Sequence, residues 1–202
     1  MVNIFACDPD PFQAARYIDD KRLGKLGMEA TQLMQFAFTL GTDDGRLAPS
    51  SVVFTRVSKT YAGHGVARWV RASVPNLCWT LLHTMALFRE RTQAYGTTHA
   101  TERVVDAILE AVVDKGFYLA TEAEHHAFPH NSAANQDLGL DFKHLPVYEA
   151  YRTYLPRRWA TDVRKATFKN REAPVISREG FLVPGMSWGH GGQASRNSSV
   201  SV

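Results

Sequence analysis

Four polar side chains recur at three- and four-residue steps in a segment with the pattern of one long helix. They are Arg22, Lys25, Glu29 and Gln32, and this spacing places them along one side of a helix. A neighbouring set of apolar residues forms a core-facing stripe: Leu23, Leu26, Ala30, Leu33 and Ala37. Charged groups at the edge of a core can line a cleft, where partial burial strengthens their effect. The pattern therefore predicts a polar site on this helix.

Glu29 is the member of this stripe best suited to acid–base chemistry. A carboxylate beside apolar residues can have a raised pKa and exchange a proton with a substrate. The alternative is an ordinary helix-surface ion pair with Lys25, four residues away, which contributes about 0.2–0.5 kcal/mol. The spacing alone leaves both interpretations open.

The neighbours of Glu29 are candidates for binding a nucleic acid. Arg22 could hold a phosphate bidentately and Lys25 as a point charge, and Gln32 could contact a base edge through its amide. A solvated helix edge explains these residues equally well. Asp19 and Asp20 precede the helix, and we expect at least one of them to cap it.

A second candidate region surrounds His64, which lies between two glycines and has a side chain that titrates near neutral pH. Its ring could enter a cleft and assist proton transfer. Trp69 and Trp79 could stack on bases, but core packing is the commoner role of tryptophan. Asn76 follows Pro75 and is expected to cap a helix, and both Asn76 and Asp20 are also candidates for binding the nucleic acid.

The segment 164–171 is basic and contains an aromatic residue, Phe168. Lys169 and Arg171 within it could contact a phosphate backbone, and a solvated surface strip explains it as well.

Metal and cofactor motifs are missing from the sequence. His125, His126 and His130 lack the glutamate of a helical zinc motif, and both cysteines are far away in the chain. There is no phosphate loop, dinucleotide fingerprint or nucleophile elbow. We therefore expect neither a metal nor a cofactor.

Composition and the positions of helix-breaking residues predict the architecture. The chain has 202 residues, 45% of them hydrophobic, and a net charge of +3, which permits an anionic partner without requiring one. We expect a mainly α, single-domain helical bundle over residues 1–184, with a short N-terminal extended segment at 2–6 and a flexible, disordered tail over 185–202. The predicted elements are helices from Pro11, up to Leu40, over 64–71, 76–94 and 101–115, and from Pro146, with a possible strand over 51–57.

The compartment follows from what the chain lacks. Only two cysteines are present, so a reducing compartment is expected. The N-terminus does not have the pattern of a signal peptide, and no apolar run is long enough to span a bilayer. We expect a soluble, cytoplasmic protein without a membrane partner.

Several blocks of the sequence resemble a family of small phage and bacterial proteins of unassigned role, which are distantly similar to pyrimidine-dimer DNA glycosylases. The blocks occur in the family's order and cover about residues 3–174. They comprise the opening Asn3-Ile4-Phe5 and Asp8-Pro9-Asp10-Pro11, the motif Asp20, Lys21, Lys25, Glu29 and Gln32, the run His64, Trp69, Arg71, Ser73, Asn76 and Trp79, then Tyr95, Gly96 and His99, and the blocks 146–152 and 168–174.

The resemblance implies an enzyme that acts on a pyrimidine base of DNA, a reaction that requires the base to be flipped out of the duplex. If the mechanism of the pyrimidine-dimer glycosylase held here, a terminal amine near Val2 would be the nucleophile and Glu29 would lie beside it. The location would be the cytoplasm of the bacterial host if a phage encodes the protein.

Two other interpretations stay open. The reaction could be transfer of a small amine or amino acid onto a modified thymine in a phage DNA hypermodification pathway. Alternatively, the protein could bind DNA, a nucleotide or a host protein without catalysis.

Overall fold

The computed structural model describes residues 3–117, 142 and 144–184. Their main elements are the helices α1 (Pro11–Arg16), α2 (Asp20–Leu40), α3 (Gly65–Ala72), α4 (Val74–Tyr95), α5 (Glu102–Asp114) and α6 (Val147–Thr161), with a 3-10 turn at Lys59–Gly63 before α3. The expectation of a mainly α, single-domain bundle is confirmed.

Local capping signals set the ends of these helices. The carboxylate of Asp10 accepts the backbone N–H of Phe12 (2.8 Å) and starts α1. Ser73 starts α4 in the same way, with Asn76 N–H as the donor (3.3 Å). Asn76 was therefore predicted wrongly as a cap: it lies inside the first turn, because Pro75 fits a helical first-turn position and the helix begins two residues earlier than expected.

The two longest helices, α2 and α4, pack closely at a glycine. A Cβ at Gly27 would lie 2.6 Å from Cζ of Phe88, whose ring is fully inside the core. A glycine in a helix interior costs roughly 1 kcal/mol relative to alanine. Because the ring of Phe88 packs directly against this position, a residue with a side chain would not fit here unless the packing shifted.

Gly27→Ala is expected to lower the free energy of unfolding by roughly 1–3 kcal/mol, because the added methyl group overpacks the contact with Phe88. Urea denaturation measures this change. Gly24→Ala is the matched control, since its Cβ would come no closer than 3.3 Å to Nε of Arg91 and 3.6 Å to Cδ2 of His99. A control variant that is destabilised as much as Gly27→Ala would contradict this explanation.

The N-terminal segment runs through the core in no regular element, and it turns at Phe5, whose φ is 47°, rather than staying extended as predicted. Ile4 is completely buried, and its carbonyl oxygen lies 2.8 Å from Nε2 of His83. The other ring nitrogen of His83, Nδ1, lies 3.0 Å from the carbonyl oxygen of Pro11. His83, on α4, thus lies between carbonyl oxygens of the N-terminal segment and of α1, and its neutral ring donates one N–H to one of them.

The possible strand at 51–57 does not form; these residues are in no regular element. The buried side chain of Gln35 accepts the backbone N–H groups of Phe54 (2.6 Å) and Thr55 (3.1 Å) and donates to the carbonyl oxygen of Val52 (2.9 Å). Because a helix side chain takes the backbone groups that a strand would pair, this part of the prediction is wrong. In the described ranges the β pairing is an isolated bridge between Ile176 and Leu182.

The predicted tail over 185–202 lies outside the described residues, and so do His125, His126 and His130. None of the helices in the described ranges combines the length and the apolar character needed to cross a bilayer.

Candidate active site

Glu29 lies on α2 at the edge of the core, with 12% of its side chain exposed. Its Oε1 is 3.6 Å from Nζ of Lys25, whose side chain is 61% exposed. Its Oε2 is buried and has no hydrogen-bond partner in the part of the chain that the structure describes. Lys25 and Glu29 are therefore brought together, and Gln32 lies partly buried three residues further along the same helix.

An unpaired buried carboxylate oxygen is costly for the fold. Leaving a buried acceptor unsatisfied costs about 1–3 kcal/mol, and more for a charged group, whereas an exposed lysine at this separation contributes little. Native proteins keep few such groups, and those that remain have a specific reason. One carboxylate oxygen thus has room for a proton partner, and a ligand could reach it only if the residues that bury it move.

Arg22 is engaged by two carboxylates of the protein itself. Its Nη1 donates to Oδ2 of Asp19 (2.6 Å) and its Nη2 to Oδ2 of Asp162 (2.5 Å). Asp19 also accepts the indole N–H of Trp159 (2.8 Å). It occupies the N-cap position of α2, but its side chain makes no capping hydrogen bond. In this conformation Arg22 joins the start of α2 to the end of α6.

Asp20 and Arg171 form a buried pair. Their side chains are 1% and 3% exposed, and Nη2 of Arg171 lies 2.7 Å from Oδ1 of Asp20. Nη1 of Arg171 reaches Glu90 on α4 at 3.1 Å. The second Asp20 oxygen accepts the backbone N–H of Lys169 (2.8 Å) and the hydroxyl of Thr167 (2.9 Å). Asp20 and Arg171 thus hold the segment 167–171 against α2 and α4.

The charges around Asp162 change its proton affinity. Burial raises the pKa of this carboxyl, but the hydrogen bond and charge of Arg22, with the charges of Lys21 and Arg158, outweigh burial and place the pKa below its ordinary value. A lowered folded-state pKa stabilises the fold above the unfolded pKa, and this stabilisation is lost as the pH falls through the folded pKa.

Asp162→Asn is expected to make the acid destabilisation of the protein less steep below about pH 4, where the unfolded carboxyl takes up its proton. The free energy of unfolding, measured by urea denaturation over a series of acidic buffers, tests this. Asp106→Asn, at an exposed position on α5, is the control. Equal pH dependence in the two variants would contradict a role for Asp162.

His64 is the N-cap residue of α3. Its Nδ1 accepts the backbone N–H of Val66 at 3.3 Å, and the side chain is partly buried. Among the described residues, no hydrogen bond or ion pair joins His64 to Glu29. A role for His64 in proton transfer stays a prediction.

The remaining predicted base-contacting residues are in the core. Trp69 and Trp79 are 3% and 1% exposed and meet edge to face, with ring centroids 5.8 Å apart. The indole N–H of Trp79 donates to the carbonyl oxygen of Pro9 (2.7 Å). Asn76 is completely buried and donates to the carbonyl oxygen of Trp69 (2.7 Å). In this conformation these side chains serve packing, and stacking on a base would require them to move.

The two cysteines are poor candidates for a catalytic nucleophile. Cys7 and Cys78 are both buried, and burial raises the pKa of each thiol, that of Cys78 to about 11. Because the thiolate is the reactive form, both are poor nucleophiles.

A separate cleft of about 620 Å³ opens between α1, the end of α4 and the segment 172–184. It contains Arg16, Glu90 and Glu172 among its polar residues, and Nε of Arg16 lies 4.0 Å from Oε1 of Glu90. None of the residues predicted for the site lines this cleft. Its size suits a small molecule.

The sequence interpretation missed several residues that shape the site. Glu90 completes the pair of Asp20 and Arg171, and Gln35 fixes the loop after α2. Arg91 and Tyr95 lie beside Lys169 near the start of α2. Helical spacing gives no sign that Glu90, Arg91 and Tyr95, which are on α4, lie next to the start of α2. The one signal for Tyr95 is its place in a block of the resemblance.

Comparisons with known proteins add no assignment. No family model matches the chain, and neither a curated protein nor a solved structure matches it. Within the described residues, no group of three or more histidine, cysteine, aspartate or glutamate side chains is placed to hold a metal ion.

Proposed function

We propose that the protein is an enzyme that acts on a pyrimidine base of DNA, with Glu29 as its general acid–base group. The observation that carries this proposal is the carboxylate of Glu29, mostly buried, with one oxygen unpaired and the other beside the exposed Lys25. The choice of DNA rests on the resemblance in sequence and on the positive net charge.

In a cleavage reaction, water would replace the base at C1′ of the deoxyribose. Glu29 would accept a proton from that water, or stabilise the positive charge that develops on the sugar. The bond from C1′ to the base nitrogen would break with its electron pair going to the nitrogen, and the base would take up a proton from solvent, which balances the proton that Glu29 returns to solvent. Lys25 would hold a neighbouring phosphate, and Gln32 would contact the flipped base.

Transfer of an amine-containing group onto a modified thymine is the second candidate. A transferase needs a pocket for its amine donor as well as one for the base. In the cleft, Glu90 already contacts Arg171 and Arg16, whereas Glu172 offers a carboxylate for an ammonium group, and this observation keeps transfer under consideration.

Intact-mass analysis of a synthetic duplex tests the reaction class. Wild-type protein is incubated with duplexes whose thymines or cytosines carry an isotope label, in the presence and absence of a mixture of amino acids and amines. Loss of the mass of one base supports cleavage, and a mass gain that requires the amine mixture supports transfer. An unchanged mass under all conditions would favour binding without catalysis.

A further inference from the structure

Two cations lie against one exposed aromatic ring at the end of α4. The Tyr95 side chain is 44% exposed. The guanidinium carbon of Arg91 is 5.4 Å from the centroid of its ring, and Nζ of Lys169 is 5.5 Å from the same centroid. Contacts of this kind hold the cations in place without neutralising them.

Neither cation has a carboxylate partner in the described ranges of the chain. Arg91 donates to the carbonyl oxygen of Thr97 (2.8 Å), which leaves its charge uncompensated. Lys169 is exposed, and its ammonium group lies against the Tyr95 ring. Elsewhere in the protein the buried arginines are matched by aspartate or glutamate. Two unmatched, positioned cations are suited to an anionic partner.

The turn that carries Lys169 is held in place by hydrogen bonds to α2 and α4. Asn170 adopts a left-handed backbone conformation with φ of 54°, which asparagine tolerates better than most residues. Its carbonyl oxygen accepts from Gln93 (2.9 Å), and the preceding N–H of Lys169 donates to Asp20. The buried pair of Asp20 and Arg171 therefore positions Lys169 beside Tyr95.

Arg91 reaches the surface of α2 because position 24 is a glycine. A Cβ there would lie 3.3 Å from Nε of Arg91. Lys21 and Lys25 flank Gly24 on the same helix, with side chains 46% and 61% exposed, and each lies 3.6 Å from one carboxylate, that of Asp162 and that of Glu29. The four cations Lys21 and Lys25, beside Gly24 on α2, and Arg91 and Lys169, against the Tyr95 ring, form what we call the basic track. Its Lys25 end lies 3.6 Å from Glu29.

We propose that the basic track binds successive phosphates of the DNA strand whose base reaches Glu29. This inference rests on the proposed function and specifies how the substrate lies on the protein. A single free phosphate would need one concentrated site, whereas these charges are spread along the start of α2 and the end of α4. Their continuity with Glu29 through Lys25 favours a strand that runs past the acid–base group.

The test is the salt dependence of DNA binding, measured by fluorescence anisotropy with a labelled duplex over a series of NaCl concentrations. The double variant Arg91→Gln/Lys169→Gln is expected to weaken binding roughly tenfold or more and to lower the slope of log K against log salt by about 1.8, or about 0.9 for each phosphate that is no longer neutralised. Tyr95→Leu keeps both charges and is expected to weaken binding with little change in slope, because the cations lose their platform.

The control is Arg46→Gln/Lys115→Gln, which also removes one arginine and one lysine. Both residues are exposed. Arg46 follows the C-terminal end of α2, about 25 Å of helix away from Gly24. Lys115 lies near it in the chain segment that ends at Phe117, whose ring packs against the Arg46 guanidinium. The control is expected to change the slope by much less. Equal changes in the two double variants, or none in Arg91→Gln/Lys169→Gln, would overturn the basic track while leaving the proposed chemistry intact. A wild-type protein that does not bind DNA would overturn both proposals.

Discussion

Replacement of Glu29 by glutamine is expected to slow the chemistry on the DNA base by a factor of about 10²–10⁴, the usual contribution of a positioned acid–base group. The substitution keeps the shape of the side chain and removes its charge and its ability to accept a proton. Single-turnover rates on a labelled duplex measure the effect. Lys25→Gln is the companion variant and is expected to change binding more than the rate constant.

The stability of the same variant separates a functional carboxylate from a structural one. Oε2 of Glu29 is buried without a partner among the described residues, so removing the charge is expected to leave the free energy of unfolding unchanged or to raise it by up to about 1 kcal/mol. If Glu29 served only the fold through its pair with Lys25, the substitution would lower stability slightly and would not affect any reaction.

Arg171→Met is expected to lower the free energy of unfolding by about 3–5 kcal/mol, because it leaves Asp20 and Glu90 without their buried partner. Urea denaturation followed by circular dichroism measures this. If the methionine variant does not fold, Arg171→Lys, which keeps the charge but not the forked geometry, is expected to be destabilised by a smaller and measurable amount.

Arg71→Met is the matched control for this pair. Nη2 of Arg71 lies 2.9 Å from Oδ1 of Asp43, a distance similar to that in the buried pair, but the Asp43 side chain is 59% exposed. An exposed ion pair contributes about 0–1 kcal/mol. The difference between the two arginine variants thus isolates the effect of burial, and equal losses would contradict the structural role of Arg171.

Helical periodicity and capping predicted much of the bundle. The spacing of Leu23, Leu26 and Ala30 correctly identified the buried side of α2, and Gly41 ends that helix as expected, with φ of 78°. These features are local, because a cap or an apolar stripe acts within a few residues of itself. The spacing also correctly placed Lys25 and Glu29 within reach of each other.

The partners of the polar residues could not be predicted in this way. Arg22 has the spacing of a solvent-facing residue, but Asp162, which pairs with it, comes from the end of α6. Asp20 and Arg171 are 151 positions apart. Periodicity tells which side of a helix a residue occupies and not which segment packs there, so phosphate binding and internal ion pairing looked alike in the sequence.

The cation–π contacts of Tyr95 illustrate the same limit. Arg91 and Lys169 come from different parts of the chain, and only the packing of the 167–171 turn against α4 brings them together. The glycine at position 24 leaves room for Arg91, but nothing in the sequence identifies the side chain that approaches it.

The most direct measurement is mass spectrometry of the nucleosides from phage-derived and ordinary duplex DNA after incubation with wild-type protein and, in parallel, with Glu29→Gln. A DNA-base enzyme that depends on Glu29 is expected to remove or alter a pyrimidine in the wild-type sample and to leave it unchanged in the variant. Identical nucleosides in the two samples and in untreated DNA, from both DNA sources, would contradict the proposed function and leave Glu29 as a partner of Lys25 alone.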